Sequence, residues 1–449
     1  MNVAPYNDRG QTEQEQAMRI AIIGSGISGL GAAYGLRHEP GLVVYEAEPR
    51  LGGHAHTVDI DYLGTAISVD TGFIVYNQLN YPNLIALFAA LDVATKESTM
   101  SFSVSVANGR REWAGDRSLW KVFAQPSNVL RPSFLWMLKE IVRFNRLAAA
   151  DLASGALHNV TLGDYLDQRR FSRRFRSDYL IPMGAAIWSM PADRVLQFPV
   201  ESFVSFFDNH RLLSFDQPLW RTVDGGSRAY VSAMEKHLGS RVRRLSRVER
   251  IVREGRQVIL TDQHGGQVAF DQAIIATHAD QALAMIQQPS DDERNILGAF
   301  AFAENEVWLH RDPALMPKRR AAWAAWNYLA PGDGPEDGTD PVAVTYCMNM
   351  LQGIAWHYPL FVSLNPPARP KPELTFARFA YRHPQMSRET LAAQQALARI
   401  QGKDRLWFAG AWSKHGFHED GLVSGMRAAQ PLGGDYPWVK APLLREAAE

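Results

Sequence analysis

The run Gly24-Ser25-Gly26-Ile27-Ser28-Gly29 holds the residues whose types and spacing speak most directly of chemistry. Gly24 permits a tight turn, Gly26 lets a pyrophosphate approach the main chain, and Gly29 lets a helix lie close against a strand. A helix opening here presents unpaired N–H groups and the positive end of its dipole to phosphates. Glu46 follows 22 residues after Gly24, the separation at which a carboxylate meets ribose hydroxyls. Together these residues predict a dinucleotide site.

The surrounding pattern supplies the elements that must position them. Met18–Ile23 is an apolar run ending in glycine and reads as a buried strand. Ser28–Leu36 reads as a helix and Leu42–Tyr45 as a second strand, which makes a βαβ unit with a parallel pair. Pro82 starts a helix over Asn83–Leu91. From Ser118 to Asp216 the pattern is helical and rich in aromatic residues. Arg241–Val252, Val258–Leu260 and Gln267–Ala276 alternate as strands do, with a turn at His264-Gly265-Gly266. Within the last, Gln272–Ala276 has the apolar character of a buried strand. Pro331–Pro341 and Asn365–Glu373 read as loops. Arg405–Ala409 is a last buried strand and Gly421–Ala429 a helix. No repeat of fixed period is present.

The segment from Glu46 through Ala47 and Arg50 to Gly52-Gly53 resembles the second phosphate-contacting segment of flavin enzymes, which plain nicotinamide dehydrogenases usually lack. Asp70-Thr71-Gly72, Asp224-Gly225-Gly226, Phe408-Ala409-Gly410 and Glu419–Gly425 follow in order. The set is similar, over most of the chain, to the flavin amine oxidase, protoporphyrinogen oxidase and phytoene desaturase superfamily. Gly53-His54-Ala55-His56-Thr57-Val58, Val69–Asn77, Phe206–His210, Ala276–Asp280 and Gly416–Gly421 narrow the likeness. They resemble a bacterial family often encoded beside cyclopropane-fatty-acid-synthase-like methyltransferases. Its members are implicated in modifying methylated acyl chains, one as a methyl-fatty-acid desaturase of furan fatty acid formation.

The resemblance implies an α/β fold, a Rossmann-like FAD-binding domain of the amine oxidase type interleaved with an α+β substrate domain. The FAD domain would comprise 18–100, 220–285 and 400–437, and the substrate domain 101–219 and 286–399, between a flexible leader (1–17) and a tail (438–449). FAD would contact Gly24 through Gly29, Glu46, Ala47, Arg50, Gly52, Gly53 and His54. Gly72, Phe73, Ile74, Val248, Thr277, Gly410, Glu419, Asp420, Gly421 and Leu422 complete that set. Tyr76, Asn77, His415 and Glu419 are the candidates for catalysis. The implied activity is desaturation of a methylated fatty acyl or phospholipid chain by hydride transfer to flavin N5. An acyl-modifying methyltransferase is the implied partner. An amine oxidase, a carotenoid or porphyrinogen desaturase, and a non-catalytic FAD-binding lipid factor are the alternatives.

Departures from the superfamily pattern also inform. Many amine oxidases carry Arg where His54 stands. They often place Lys before an apolar strand of the substrate domain, where Glu306 is the counterpart here, which argues against amine oxidation. The C-terminal segment has no Cys, so a cysteinyl-flavin link there is excluded. His54 with His56, and His415 with His418 and Glu419, could be drawn as metal ligands, since alternate residues of a strand share a face. No third-ligand motif accompanies them, so no metal is expected.

Ser118–Arg146 mixes Trp120, Phe123, Phe134, Trp136 and Phe144 with Lys121, Arg131, Lys139, Arg143 and Arg146, as helices at a lipid interface do. Arg169, Arg170, Arg173, Arg174 and Arg176 form a second basic cluster, read as either a lipid contact or a solvated helix face. Trp188, Trp323 and Trp326 read as aromatic core, with an acyl tunnel as the alternative. Overall charge is balanced, with 47 Lys+Arg against 47 Asp+Glu in 449 residues. That excludes a generally basic nucleic-acid binder, and 46% hydrophobic residues exclude global disorder. Cys347 is the single cysteine, which excludes an intramolecular disulfide and fits a reducing compartment. Ile20–Leu36, Thr71–Leu91 and Pro341–Ala368 lack charged residues but are broken by Gly, Asn or Pro, and read as buried soluble structure. The expected location is the cytoplasm, at the inner face of the membrane.

Overall fold

The computed structural model describes residues 17–115, 118–214, 218–332 and 343–439. The leader apart from Ala17, the tail beyond Val439 and most of the loop at Pro331–Pro341 lie outside the described residues.

A five-stranded parallel sheet runs in the order Val242–Arg243, Leu42–Tyr45, Ile20–Ile23, Gln272–Ile275, Leu406–Phe408. Ile20–Ile23 is buried at all four positions, so it reads as a continuous apolar run. Its side chains divide between two cores. Ile20 and Ile22 pack with Leu30, Leu422 and Met426 of helices Ile27–Gly35 and His418–Ala429. Ala21 and Ile23 pack with Val248, Ile251 and Leu260, residues of an antiparallel layer formed by Val248–Glu254, Gln257–Asp262 and Gln267–Phe270.

Two of the predicted strands divide. Arg241–Val252 yields Val242–Arg243 in the parallel sheet and Val248–Glu254 in the antiparallel layer. Gln267–Ala276 divides at Asp271, where the chain passes from one layer to the other. Arg19 N donates to Asp271 Oδ2 at 2.8 Å and Asp271 N to Arg19 O at 2.8 Å, which holds that corner against the first strand. Alternation continues across the break, so period alone could not mark it. The last helix begins at His418, three residues before the predicted start.

The second unit is a seven-stranded mixed sheet. Its order is Thr375–Gln385, Ala301–His310, Phe361–Leu364, Val344–Cys347, Trp326–Ala330, Phe102–Val106, Arg111–Gly115, antiparallel except where Trp326–Ala330 meets Phe102–Val106. The helices between 119 and 209 pack against it around Phe134, Phe144, Phe175 and Phe203. Trp188 and Trp323 are core residues, 6% and 7% exposed. Asp70, at the end of a hairpin (Thr57–Tyr62 with Thr65–Asp70), ties the units together. It is 1% exposed and accepts from Thr57 Oγ1 (2.6 Å), Ser227 N (2.9 Å), Ser227 Oγ (2.7 Å) and Gln352 Nε2 (3.1 Å). Among the described residues no helix is long and apolar enough to cross a membrane.

Glycine sets how closely the first and last helices approach. A Cβ on Gly425 would lie 2.0 Å from Ser28 O, and one on Gly421 2.7 Å from Ile27 Cγ2. The obstacle at Gly425 is backbone, which cannot turn aside. Gly425→Ala is therefore expected to destabilise the fold by about 1–3 kcal/mol, the range for overpacking. Thermal unfolding should show this together with loss of retained flavin.

Candidate flavin site and active site

Ser25 lies between the first strand and the first helix, and its role is to orient Glu46. Ser25 N and Oγ donate to Glu46 Oε2 at 3.0 and 2.5 Å, and Glu48 N donates to Oε1 at 2.9 Å. The carboxylate is thus fixed at the end of strand Leu42–Tyr45. Ser246 N donates to Glu46 O at 2.8 Å, which draws the segment leading into buried Val248 past the same point.

Helix Ile27–Gly35 opens at Gly26 with no side chain capping it. The N–H groups of its first turn have no intrahelical acceptor. A Cβ on Gly26 would meet nothing within 4 Å, so open space stands above the helix start. By contrast a Cβ on Gly24 would lie 2.8 Å from Ala276 O, and one on Gly29 1.9 Å from Gly24 O. Gly24 has φ +99°, so it also needs the left-handed region. Gly52-Gly53 crosses this opening: Gly52 N donates to Ser25 O at 2.9 Å, and a Cβ on Gly53 would lie 3.0 Å from Gly26 Cα. Arg50 Nη1 donates to Gly53 O at 2.8 Å, which places a guanidinium beside the paired glycines. Half-buried Ala47 follows Glu46. An uncapped helix start, an unfilled space above Gly26, a nearby cation and an oriented carboxylate fit the pyrophosphate and ribose of a dinucleotide.

The remaining predicted segments meet at the start of the last helix. Phe73 N donates to His54 O at 2.8 Å, and a Cβ on Gly72 would lie 2.1 Å from that oxygen. The Phe73 ring stacks on His418 with centroids 3.7 Å apart. Gly410 N donates to Ser424 Oγ at 2.9 Å, and the Trp412 indole lies where a Gly410 Cβ would be. Trp412 Nε1 donates to Thr277 O at 3.0 Å, which brings in Thr277 beside Gly24. Gly421 and Leu422 face helix Ile27–Gly35, and Leu422 is fully buried against Gly31 there. Ile74 is likewise a core residue, 8% exposed, whose carbonyl accepts from Thr222 Oγ1 at 2.8 Å.

The residues predicted for catalysis divide. Glu419 accepts from Asn83 N (3.0 Å), Asn83 Nδ2 (2.8 Å) and Leu84 N (2.9 Å), so its carboxylate caps helix Pro82–Ala90. Burial raises its pKa and those three donors oppose the rise. Asn77 Oδ1 accepts from Leu79 N and Asn80 N at 3.0 and 2.9 Å, closing the turn before the same helix. Tyr76 is 2% exposed and packs edge-on against Tyr81 and Phe88. Three of the four thus serve the packing of one helix. His415 stands elsewhere, beside Phe206 at 5.9 Å between centroids, and among the described residues no hydrogen bond holds its ring. Burial lowers its pKa to about 4, so it is neutral at pH 7.

Sequence reading missed a histidine group around His54. His383 and His278 lie 5.4 and 6.2 Å from it, and Tyr381 5.2 Å. His54 Nε2 is buried without a partner. Burial, then the neighbouring His383 and His278, hold its pKa well below the usual imidazole value. Tyr381 OH lies 2.7 Å from both His56 Nδ1 and Thr71 Oγ1. Phe379, Tyr381 and His383 alternate on one face of strand Thr375–Gln385, a period-2 signal available in the sequence. The same strand pairing sets Glu306 and Asn305 on opposite faces. Glu306 forms an ion pair with Arg378 at 2.5 Å on the outer face, while Asn305, 2% exposed, turns inward to His383 at 3.1 Å. Among the described residues no group of three or more His, Cys, Asp or Glu side chains could hold a metal ion.

The model of the family described as flavin containing amine oxidoreductase matches residues 27–301. The chain belongs to that family. Its cofactor is FAD, and it is an FAD-dependent oxidoreductase. A 55-residue stretch is 44% identical to mitochondrial protoporphyrinogen oxidase of Nicotiana tabacum, covering 12% of this chain and 11% of that relative. The fold is similar to putrescine oxidase bound to putrescine, at TM-score 0.65 and 15% identity over 92% of this chain and 98% of the other. It is also similar to the CLA-producing fatty acid isomerase from P. acnes, at TM-score 0.63 and 15% identity over 91% and 97%. When bound, FAD supplies two-electron chemistry that no side chain of this flavoprotein offers.

Two outcomes follow for the flavoprotein. If Glu46 holds the ribose as its place at the end of strand Leu42–Tyr45 fits, Glu46→Gln should weaken FAD binding about 10- to 100-fold, the worth of a charge-assisted hydrogen bond, as read by FAD fluorescence titration. The second is a pH dependence. His56, His210, His278, His310, His383 and His415 are lowered by burial to about 4, and His418 to about 3, from 6.5. As pH falls below about 6.5, the unfolded chain takes up protons that the folded chain refuses, so stability present at neutral pH is lost toward about 4. Asp420, raised by burial to about 6, runs the other way, with Asp70 and Glu419 in the same direction. The histidines outnumber them, so the melting temperature should fall steadily between pH 6.5 and 4.

Proposed function

We propose that this flavoprotein desaturates a methyl-branched fatty acyl chain. The observation that carries the reading is the lining around the start of the last helix. Phe417 stacks on Phe206 at 4.9 Å, Phe206 on His210 at 3.8 Å, and Phe73 on His418 at 3.7 Å. The imidazoles are neutral at pH 7. Both nearby carboxylates are already engaged, Glu419 on the start of helix Pro82–Ala90 and Asp420 Oδ2 on Phe417 N at 3.0 Å. A buried ammonium group needs an opposite charge, whereas a hydrocarbon chain needs apolar walls. The neutral Asn305 side chain, turned inward to His383, supports the same reading. One frame serves both a fatty acid isomerase and a putrescine oxidase, so the local lining rather than the fold bears on the substrate.

In the proposed reaction one substrate carbon would give its hydride to the bound FAD and its neighbour a proton to the protein, and a carbon–carbon double bond would form between them. The chain's part is to exclude water, to hold the reacting carbon at a near-attack distance of about 3–3.5 Å, and to receive the proton. His415, neutral and unheld, is the group assigned to receive it. A methyltransferase acting on acyl chains is the class of enzyme that supplies such a substrate.

Anaerobic addition of a methyl-branched phospholipid to the holoenzyme should bleach the visible band of oxidised FAD, and putrescine should leave it intact. Bleaching by the amine but not by any lipid would overturn the proposal. His415→Ala should slow the lipid-driven bleaching about 100-fold or more, as loss of a general base does, with the bound FAD spectrum unchanged.

A further inference from the structure

We infer that the surface formed by Leu119–Val122, Pro126–Leu130 and the first half of helix Pro132–Ala153 docks on an anionic phospholipid bilayer. Among the described residues, seven of the twelve exposed large apolar side chains fall between 119 and 142. Trp120 is 87% exposed, Leu130 85% and Leu119 72%. Single exposed apolar residues need no explanation, but a contiguous group marks an interaction surface.

Helix Pro132–Ala153 cannot account for this group through its own packing. Phe134, Met137, Glu140, Phe144 and Ala148 recur at helical spacing and form its buried face. Leu135, Trp136 and Val142 are exposed on the rest of its surface. Lys139 and Arg146 stand exposed among them, with Lys139 Nζ 4.9 Å from the centroid of the Trp136 ring. Glu140 is the sole acid from 118 to 150, and it is buried, held by Ser172 N at 2.9 Å and by Ser172 Oγ. Among the described residues, the segment 118–150 therefore offers tryptophan, leucine and positive charge with no exposed acid of its own, which matches lipid headgroups of negative sign. The same balance disfavours a second copy of the chain as occupant. An isologous pairing would bring these cations against their own copies.

The arginines at 169–176 add less than their sequence suggests. Arg169 pairs with Asp151 at 2.6 Å, Arg174 with Asp178 at 3.2 Å and Arg176 with Asp167 at 2.7 Å. These charges are spent within the helical unit, so the docking surface narrows to 119–146. The inference stands on exposure and charge, independently of the substrate proposed above.

Flotation of the holoprotein with vesicles tests it, comparing equimolar phosphatidylcholine and phosphatidylglycerol with phosphatidylcholine alone. Binding is expected to the mixed vesicles and should weaken with added salt. Neutralising Lys139 and Arg146 (K139Q with R146Q) should reduce it by about fivefold for each charge. Trp120→Ser with Trp136→Ser should remove it, while the melting temperature and the FAD spectrum stay unchanged. Absence of binding to the mixed vesicles would overturn the inference. So would a dimer in sedimentation velocity that Trp120→Ser dissociates without any change in flotation.

Discussion

Backbone contact between the first and the last helix is the constraint on which the rest of the structure depends. Ser28 O lies where a Cβ of Gly425 would stand, and Ile27 lies against Gly421. This contact places the uncapped start of Ile27–Gly35 near the start of His418–Ala429. Two helix N-termini, with their unpaired amides and positive dipole ends, thus belong to one site built from opposite ends of the chain. Side chains of ordinary size would hold the helices apart and separate the parts of the flavin cradle.

A second consequence is electrostatic. Closing the two units over each other buries His54, His278, His383, His415 and His418 with few compensating charges, and desolvation keeps all five neutral. The acidic residues that could have balanced a cation are turned to structural work. Asp70 joins the two units, and Glu419 caps a helix. Arg50 stands at the paired glycines and Glu46 at Ser25, while Asp420 is held by Phe417 N on the side where Phe206 and Phe417 stack.

Much of the cofactor half was legible in the sequence because its determinants are local. Gly24, Gly26, Gly29, Glu46 and the paired glycines act through backbone conformation and short spacings, and the structure places them on neighbouring turns of one βαβ unit. The seven-stranded sheet was far less legible. Its longest strands, Ala301–His310 and Thr375–Gln385, carry Glu304, Glu306, Arg378 and Arg382 on partly exposed faces, which blurs any apolar alternation. The break at Asp271 was invisible for a related reason, since the chain changes layers without changing period.

By itself the sequence pointed to a dinucleotide site at Gly24–Gly29 with Glu46 at its ribose end, and to the parallel α/β frame that the structure shows. Only the tertiary structure decided which polar residues are free to act. Glu419 and Tyr76 look like chemistry in a string of letters, but each packs on helix Pro82–Ala90, which neither shows in its own segment. Tyr381 and His383 reach His54 and His56 across more than three hundred residues of chain. The physical reason is that a side chain's role depends on which donors, acceptors and apolar surfaces surround it. Those neighbours are assembled from distant segments only when the hydrophobic cores close.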